Sequence, residues 1–184
     1  KYLKTEIDRK TLWDSITKSK INSVIHSEIS SKSIYNIFKQ IDEQTKNKKI
    51  DVIIGGPPCQ AYSIVGRARD PQNMENDPRN FLYKLYIKFL EKYRPKMFVF
   101  ENVPGILSAK NGEHFLKIQK AIKKIGYDFD YRVLNARDFS VLQDRKRVIL
   151  IGWDKNIEFA YPEFEKNENK FQILKDLFYD LPPL

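Results

Sequence analysis

The sequence predicts one α/β domain of three layers, with helices packed on a mostly parallel sheet. Three observations lead there. Two apolar, β-branched runs, "KIDVIIGG" (49–56) and "KMFVFENV" (96–103), each give way to glycine and proline, as buried parallel strands do. Segments with apolar residues at helical spacing alternate with them, which is the grammar of strand–helix–strand units. The chain has 184 residues, 41% hydrophobic and 13% aromatic, enough to bury a real core and too apolar for disorder over most of its length.

The elements follow in order. "DRKTLWDSI" (8–16) reads as a short helix with Thr5 or Asp8 as its cap. "INSVIHSEIS" (21–30) contains a short β-like run. "SKSIYNIFKQIDEQ" (31–44) places Ile34, Ile37, Phe38 and Ile41 on one helical face, with serine as the cap. After the strand at 49–56 comes a polar stretch, roughly 57–78, rich in Pro, Arg, Asp and Asn. Long loops of this kind in compact domains are usually functional. "RNFLYKLYIKFLEKYRP" (79–95) is a helix that stops at Pro95. After the strand at 96–103, Pro104-Gly105 acts as punctuation. "EHFLKIQKAIKKIGY" (113–127) is an amphipathic helix with Gly126 at its C-terminal end. "FDYRVLNA" (129–136) and "KRVILIGW" (146–153) are late strands whose short connection allows antiparallel pairing.

Thirty-three Lys and Arg against 24 Asp and Glu leave a net charge of +9. That excess suits a polyanion such as nucleic acid, although a lysine-rich solvated surface produces the same count. A single cysteine makes no internal disulfide and favours a reducing, cytoplasmic setting. No run of about eighteen apolar residues suggests a membrane span, and "KYLKTEIDRK" has no apolar core of a secretory signal. His26 and His114 stand alone, and no cluster at ligand spacing suggests a metal.

Ligands bind at the carboxyl ends of the strands in such sheets, and three unusual segments lie at strand ends. In "GGPPCQ" (55–60), two glycines permit a tight turn and two prolines stiffen it. Cys59, held there ahead of a long loop, is a candidate nucleophile. A lone cysteine is more often buried and inert, and the rigid frame reverses that preference. Glu101, in "ENVPG", ends a buried strand, where a carboxylate costs desolvation unless it has a partner or a task. A cap or a loop hydrogen bond would also satisfy it. "QDRKRV" (143–148) alternates, so Gln143, Arg145 and Arg147 share one face and Asp144 and Lys146 the other. Paired guanidiniums bind anions and carbonyl oxygens, whereas a solvated edge would bear the same pattern.

A thiol, a carboxyl group and paired arginines are the set needed to methylate carbon 5 of cytosine. A thiolate adding to carbon 6 makes the ring an enamine, and the carboxyl group and a guanidinium stabilise the charge that develops. "GGPPCQAYS", "DPRNFLY", "ENVPG" and "QDRKRV", in this order, resemble the DNA cytosine-5 methyltransferase family over about residues 26–184. The resemblance implies a Rossmann-like, S-adenosylmethionine-dependent methyltransferase fold, here incomplete. It implies Cys59 as nucleophile, Glu101 as the carboxyl group gripping the base, Arg147 at the ring O2 and Arg145 in support. Pro58 would offer its backbone to the exocyclic amine and the cofactor. Leu82 would pack against S-adenosylmethionine, and Glu28 and Ile29, in "SEIS", would hold its adenine, with Glu28 where the family usually has Asp. The loop bearing Gln60, Ser63, Val65, Arg67 and Arg69 would close over double-stranded DNA, filling the gap left by a flipped base and meeting phosphates.

The sequence departs from the family in two places. It has no Phe-x-Gly-x-Gly turn, since all seven glycines lie at position 55 or later, so this segment alone should bind the cofactor poorly. The target-recognition domain and the last family motifs are also missing. The expected organisation is a leading helical insertion at 1–25, a partial catalytic domain at 26–160 and a connector at 161–184. The resemblance points to a bacterial restriction-modification system. An RNA cytosine-5 methyltransferase and a non-catalytic DNA-binding relative are the alternatives. An amino-methyltransferase would follow its paired-proline turn with an aromatic residue and would need no thiol.

Overall fold

The structure, a computed structural model, describes Asp8, Thr11 and residues 24–58 and 82–167. Two compact units divide the chain, Lys1–Lys48 and Lys49–Leu184.

In the first unit, Thr11 is helical and donates its backbone N–H to Asp8 Oδ1 at 2.6 Å, the cap expected of Asp8. The rest of the expected helix at 8–16 lies outside the described residues, as does Thr5. Residues 24–29 have no regular structure, so the β-like run expected at 21–30 forms no strand where it is described. Val24 and Ile29 are exposed and Ile25 is only half-buried, so the stretch buries no apolar face, and strands need paired neighbours. Helix α1 (Ile34–Thr45) buries Ile34, Ile37 and Phe38. Its serine cap is reciprocal and begins one turn early. Ser30 Oγ accepts the Ser33 N–H at 3.2 Å, and Ser33 Oγ accepts the Ser30 N–H at 3.0 Å, the logic of a capping box with serine at both positions.

The second unit holds a four-stranded sheet in the order β1-β2-β4-β3. Its strands are β1 (Val52–Gly55), β2 (Met97–Asn102), β3 (Tyr127–Asn135) and β4 (Lys146–Asp154). β1 pairs parallel with β2, while β4 pairs antiparallel with both β2 and β3. Three of the four strands therefore run in one direction, as a mostly parallel sheet requires. Strand by strand, however, only one pairing is parallel, because β4 is inserted between β2 and β3. The short connection at 136–145 cannot carry a crossover, so the last two strands form a hairpin.

Alternation assigns the faces. Phe98, Phe100, Val148 and Leu150 are buried on the face covered by helices α2 (Leu82–Tyr93) and α4 (Glu113–Lys124). Tyr86 of α2 sets its ring edge-on to Phe98 and Phe100 and donates its hydroxyl to the Val99 carbonyl at 2.9 Å. Gly55 must be small there, because a Cβ would stand 2.6 Å from that ring. The other face of β4 is met by the segment after it, where Trp153 packs on Phe159 and Tyr161 donates its hydroxyl to the Ile149 carbonyl at 3.0 Å.

β1 departs from the expectation of burial. Ile53 packs against the core, and alternation turns Val52 and Ile54, 48% and 76% exposed, to the opposite face. Pro104 does more than punctuate. It precedes a short helix, α3 (Gly105–Ser108), since proline needs no N–H partner at a helix start. Gly126 closes α4 with a φ of +86°, the left-handed position that favours glycine.

Candidate active site

β1 and β2 end at the edge of the sheet where the antiparallel β4 begins. That geometry gathers the three unusual segments. Gly56–Pro58 leave β1, Glu101 and Asn102 end β2, and Arg147 is the second residue of β4. Glu101 opposes Ile149 in the register. Arg147 sits two residues before Ile149 on the same face, so the two side chains are diagonal neighbours. Arg147 Nε lies 2.8 Å from Glu101 Oε1, within the range of a charge-assisted hydrogen bond. The Arg147 Nη1 also donates to the Lys146 carbonyl at 2.7 Å. Both charged groups are part-exposed, so they remain accessible to a ligand.

The turn after β1 is built against this pair. A Cβ on Gly56 would lie 2.8 Å from Glu101 Oε2 and 3.4 Å from the Glu101 carbonyl oxygen. Glycine thus lets the carboxylate keep its place, since a Cβ would push its end aside. Asn102 faces the core, 4% exposed. Its Nδ2 donates to the Pro57 carbonyl at 3.1 Å, and its Oδ1 accepts the Val103 N–H at 2.9 Å. One buried carboxamide thus joins the ends of β1 and β2 and is satisfied at both atoms.

The expected site residues separate into four groups. Glu101 and Arg147 are in contact. Pro58 is exposed just past β1, Leu82 is half-buried at the start of the described part of α2, and Arg145 is exposed ahead of β4. The strict alternation expected over Gln143–Arg147 begins only at Lys146, because Gln143, Asp144 and Arg145 belong to the loop. Glu28 and Ile29 belong to the first unit and are exposed there. Cys59, Gln60, Ser63, Val65, Arg67 and Arg69 lie outside the described residues. Sequence reasoning did not assign Asn102 a role, although an amide directly after an acidic residue at a strand end was a legible signal. No group of three or more metal-ligating side chains occurs among the described residues.

A model of C-5 cytosine-specific DNA methylases matches residues 5–182. The chain belongs to that family. It is 39% identical over 166 residues to a Type II methyltransferase of Bacillus paralicheniformis, covering 84% of this chain and 37% of the relative. A Type II methyltransferase of Fusobacterium nucleatum is 39% identical over 177 residues, covering 94% of this chain and 46% of the relative. The chain thus spans less than half the length of these two methylases. Among solved structures, a DNA modification methyltransferase encoded within an E. coli prophage superposes with a TM-score of 0.62 at 27% identity, covering 87% of this chain and 42% of that one. An Entamoeba histolytica methyltransferase shares the fold, with a TM-score of 0.56 at 20% identity over 90% of this chain and 48% of its own. The methylase family match begins earlier than the motifs do, and it includes most of the segment ahead of residue 26. No helix among the described residues is long and apolar enough to cross a membrane.

Proposed function

We propose that the protein containing this chain methylates carbon 5 of cytosine in double-stranded DNA, within a bacterial restriction-modification system. The observation that carries the proposal is the Glu101–Arg147 pair at the carboxyl ends of the strands, beside the Gly56–Pro58 turn that leads into Cys59. A carboxyl group and a guanidinium held side by side suit the N3/amine edge and the O2 of a cytosine ring. The family's methyl donor is S-adenosylmethionine, which supplies an electrophilic methyl group.

This chain's residues would act in sequence. Cys59 as thiolate forms a bond to carbon 6, and the ring electrons become available at carbon 5. Glu101 holds N3 and the exocyclic amine, and the Arg147 guanidinium faces O2, so charge created by addition is met by groups already in position. Arg145 supports Arg147, and the Pro58 backbone faces the amine. After carbon 5 has gained its methyl group, its proton leaves to water, the bond from sulfur to carbon 6 breaks, and the thiolate is restored. The donor set fits the cofactor in chemical character. Glu28 and Ile29, a carboxylate beside an exposed apolar side chain, would hold its adenine, and Leu82 would pack against it. Gln60, Ser63, Val65, Arg67 and Arg69 would meet the DNA, with the arginines on phosphates and the flipped base reached from the duplex.

The test uses the full-length protein and its Cys59→Ser variant with S-adenosylmethionine and duplex DNA containing 5-fluorocytosine. Fluorine cannot leave carbon 5 as a proton does, so a denaturation-resistant adduct should accumulate with the wild type and not with the variant. An adduct on fluorinated RNA alone would move the substrate to RNA. No adduct on either would overturn the covalent mechanism.

A further inference from the structure

The loop between β3 and β4 meets Lys166 through Asp138 and Phe164 through Phe139, and its two ends are joined by a side chain that the chemistry above does not use. Asn135, the last residue of β3, accepts the backbone N–H of Arg137 at 3.3 Å and of Arg145 at 3.0 Å, both through Oδ1. Its Nδ2 donates to Asp144 Oδ1 at 2.8 Å. The Ala136 N–H adds a backbone bond to the Arg145 carbonyl at 3.0 Å. The carboxamide therefore uses both its ends to draw the far end of the loop back onto β3.

The consequence falls on the arginines. Asn135 opposes Lys146 as the terminal pair of the β3–β4 ladder, and Arg145 and Arg147 flank that position. A slip of one residue in a strand carries every side chain to the opposite face, which would take Arg147 from the face it shares with Glu101. Buried Val148 and Leu150 specify the register of the strand's interior, but the 3₁₀ turn ahead of it, Ala136–Phe139, buries no side chain, so the first residues of β4 depend more on polar ties. We infer that Asn135 and Asp144 form a positioning pair that holds the first residues of β4 in the register its buried core dictates, and so keeps Arg147 at Glu101 and Arg145 beside it. This rests on the cytosine-5 reading above. The Asp144 half also uses a residue that alternation alone assigned to the face away from the arginines.

The experiment is a swap in the full-length protein, comparing wild type, Asn135→Asp, Asp144→Asn and the double variant. Asn135→Asp keeps the acceptor for both N–H groups but faces Asp144 with a second carboxylate, and methylation and adduct formation should slow by at least about tenfold, since small misplacements at a reacting centre are costly. The double variant restores a donor opposite an acceptor, with the direction reversed, and should return to within about threefold of wild type by the same reasoning. Asp144→Asn alone retains an oxygen acceptor and measures the partner's own share. Because facing carboxylates share a proton more readily in acid, the deficit of Asn135→Asp should shrink as the pH is lowered. A uniform loss of fold would not show that pattern of rescue. Wild-type rates in Asn135→Asp, or a loss that the double variant leaves in place, would overturn the inference. Amide exchange followed by NMR separates it from the cytosine-5 reading, because it needs no activity. In Asn135→Ala the Arg137 and Arg145 amides should exchange faster while β2 amides do not, and unchanged exchange at both would overturn it even if no methylation is found.

Discussion

Arg147 Nε sits 2.8 Å from Glu101 Oε1, on adjacent antiparallel strands and diagonal in register. The two side chains are 22% and 39% exposed, so water screens the pair and its net worth to folding is under about 1 kcal/mol. On the proposed cytosine-5 chemistry its worth to catalysis is of another order. Glu101→Gln and Arg147→Ala in the full-length protein should each lower the single-turnover rate by about 10²-fold or more, as loss of one preorganised electrostatic group does. Urea melts of the same variants should move little.

Gly56→Ala should separate activity from stability in the same way. The added Cβ meets Glu101 Oε2 at 2.8 Å, and a carboxylate at the end of a side chain can swing aside. We expect a stability loss near ~1 kcal/mol but a rate loss of about tenfold or more, because the carboxyl group is displaced from the base. Gly152→Ala is the contrast. Its Cβ would stand 2.2 Å from the fully buried Phe98 ring, and the cost should reach about 3 kcal/mol through overpacking. Denaturant melts of the two variants check the difference.

Asn102→Ala should destabilise by ~1–3 kcal/mol, since it takes the side-chain partner from the part-buried Pro57 carbonyl and Val103 N–H. Asn102→Asp should be worse at neutral pH. It keeps an acceptor for Val103 but sets a buried charge against the Pro57 carbonyl. Equal melting of the two variants would refute this account of the link.

Stability should fall on mild acidification because of His114. Burial, with Lys117 and Lys110 adding to it, holds this imidazole below its usual value of 6.5. The unfolded chain therefore takes up a proton first as the pH drops through that value, and unfolding is favoured. Asp51 and Asp154 are also held below the usual 3.8, chiefly by the Lys96 hydrogen bond and the Asn156 backbone N–H respectively. Their contribution is full above that value and is lost as the pH falls below it through their lowered native values. His114→Gln should flatten the dependence between pH 7 and pH 5, about the range in which histidine titrates, without altering the acid limb. Melts at several pH values test both statements.

Local pattern decided much of this protein. The apolar run ending in Glu101-Asn102, the helical spacing of Phe115, Ile118 and Ile122, and the glycine at 126 each fixed an element within a few residues, because side-chain period and backbone sterics act over short range. The motif residues could likewise be placed at strand ends, where chain direction alone suggests a site. Tertiary packing decided what lies next to what. That β4 enters between β2 and β3, and so brings Arg147 to Glu101, depends on which strand buries Val148 and Leu150 against Phe100. Neither the bond from Asn102 to Pro57 nor that from Asn135 to Asp144 has a sequence period, since each joins residues whose proximity exists only once the sheet has formed. The same dependence explains the β-like run at 21–30, whose described part found no partner strand, and the exposed Ile54, whose sequence asked for cover on both faces. Hydrophobic pattern states that a residue seeks burial, and only the assembled neighbours determine whether it finds it.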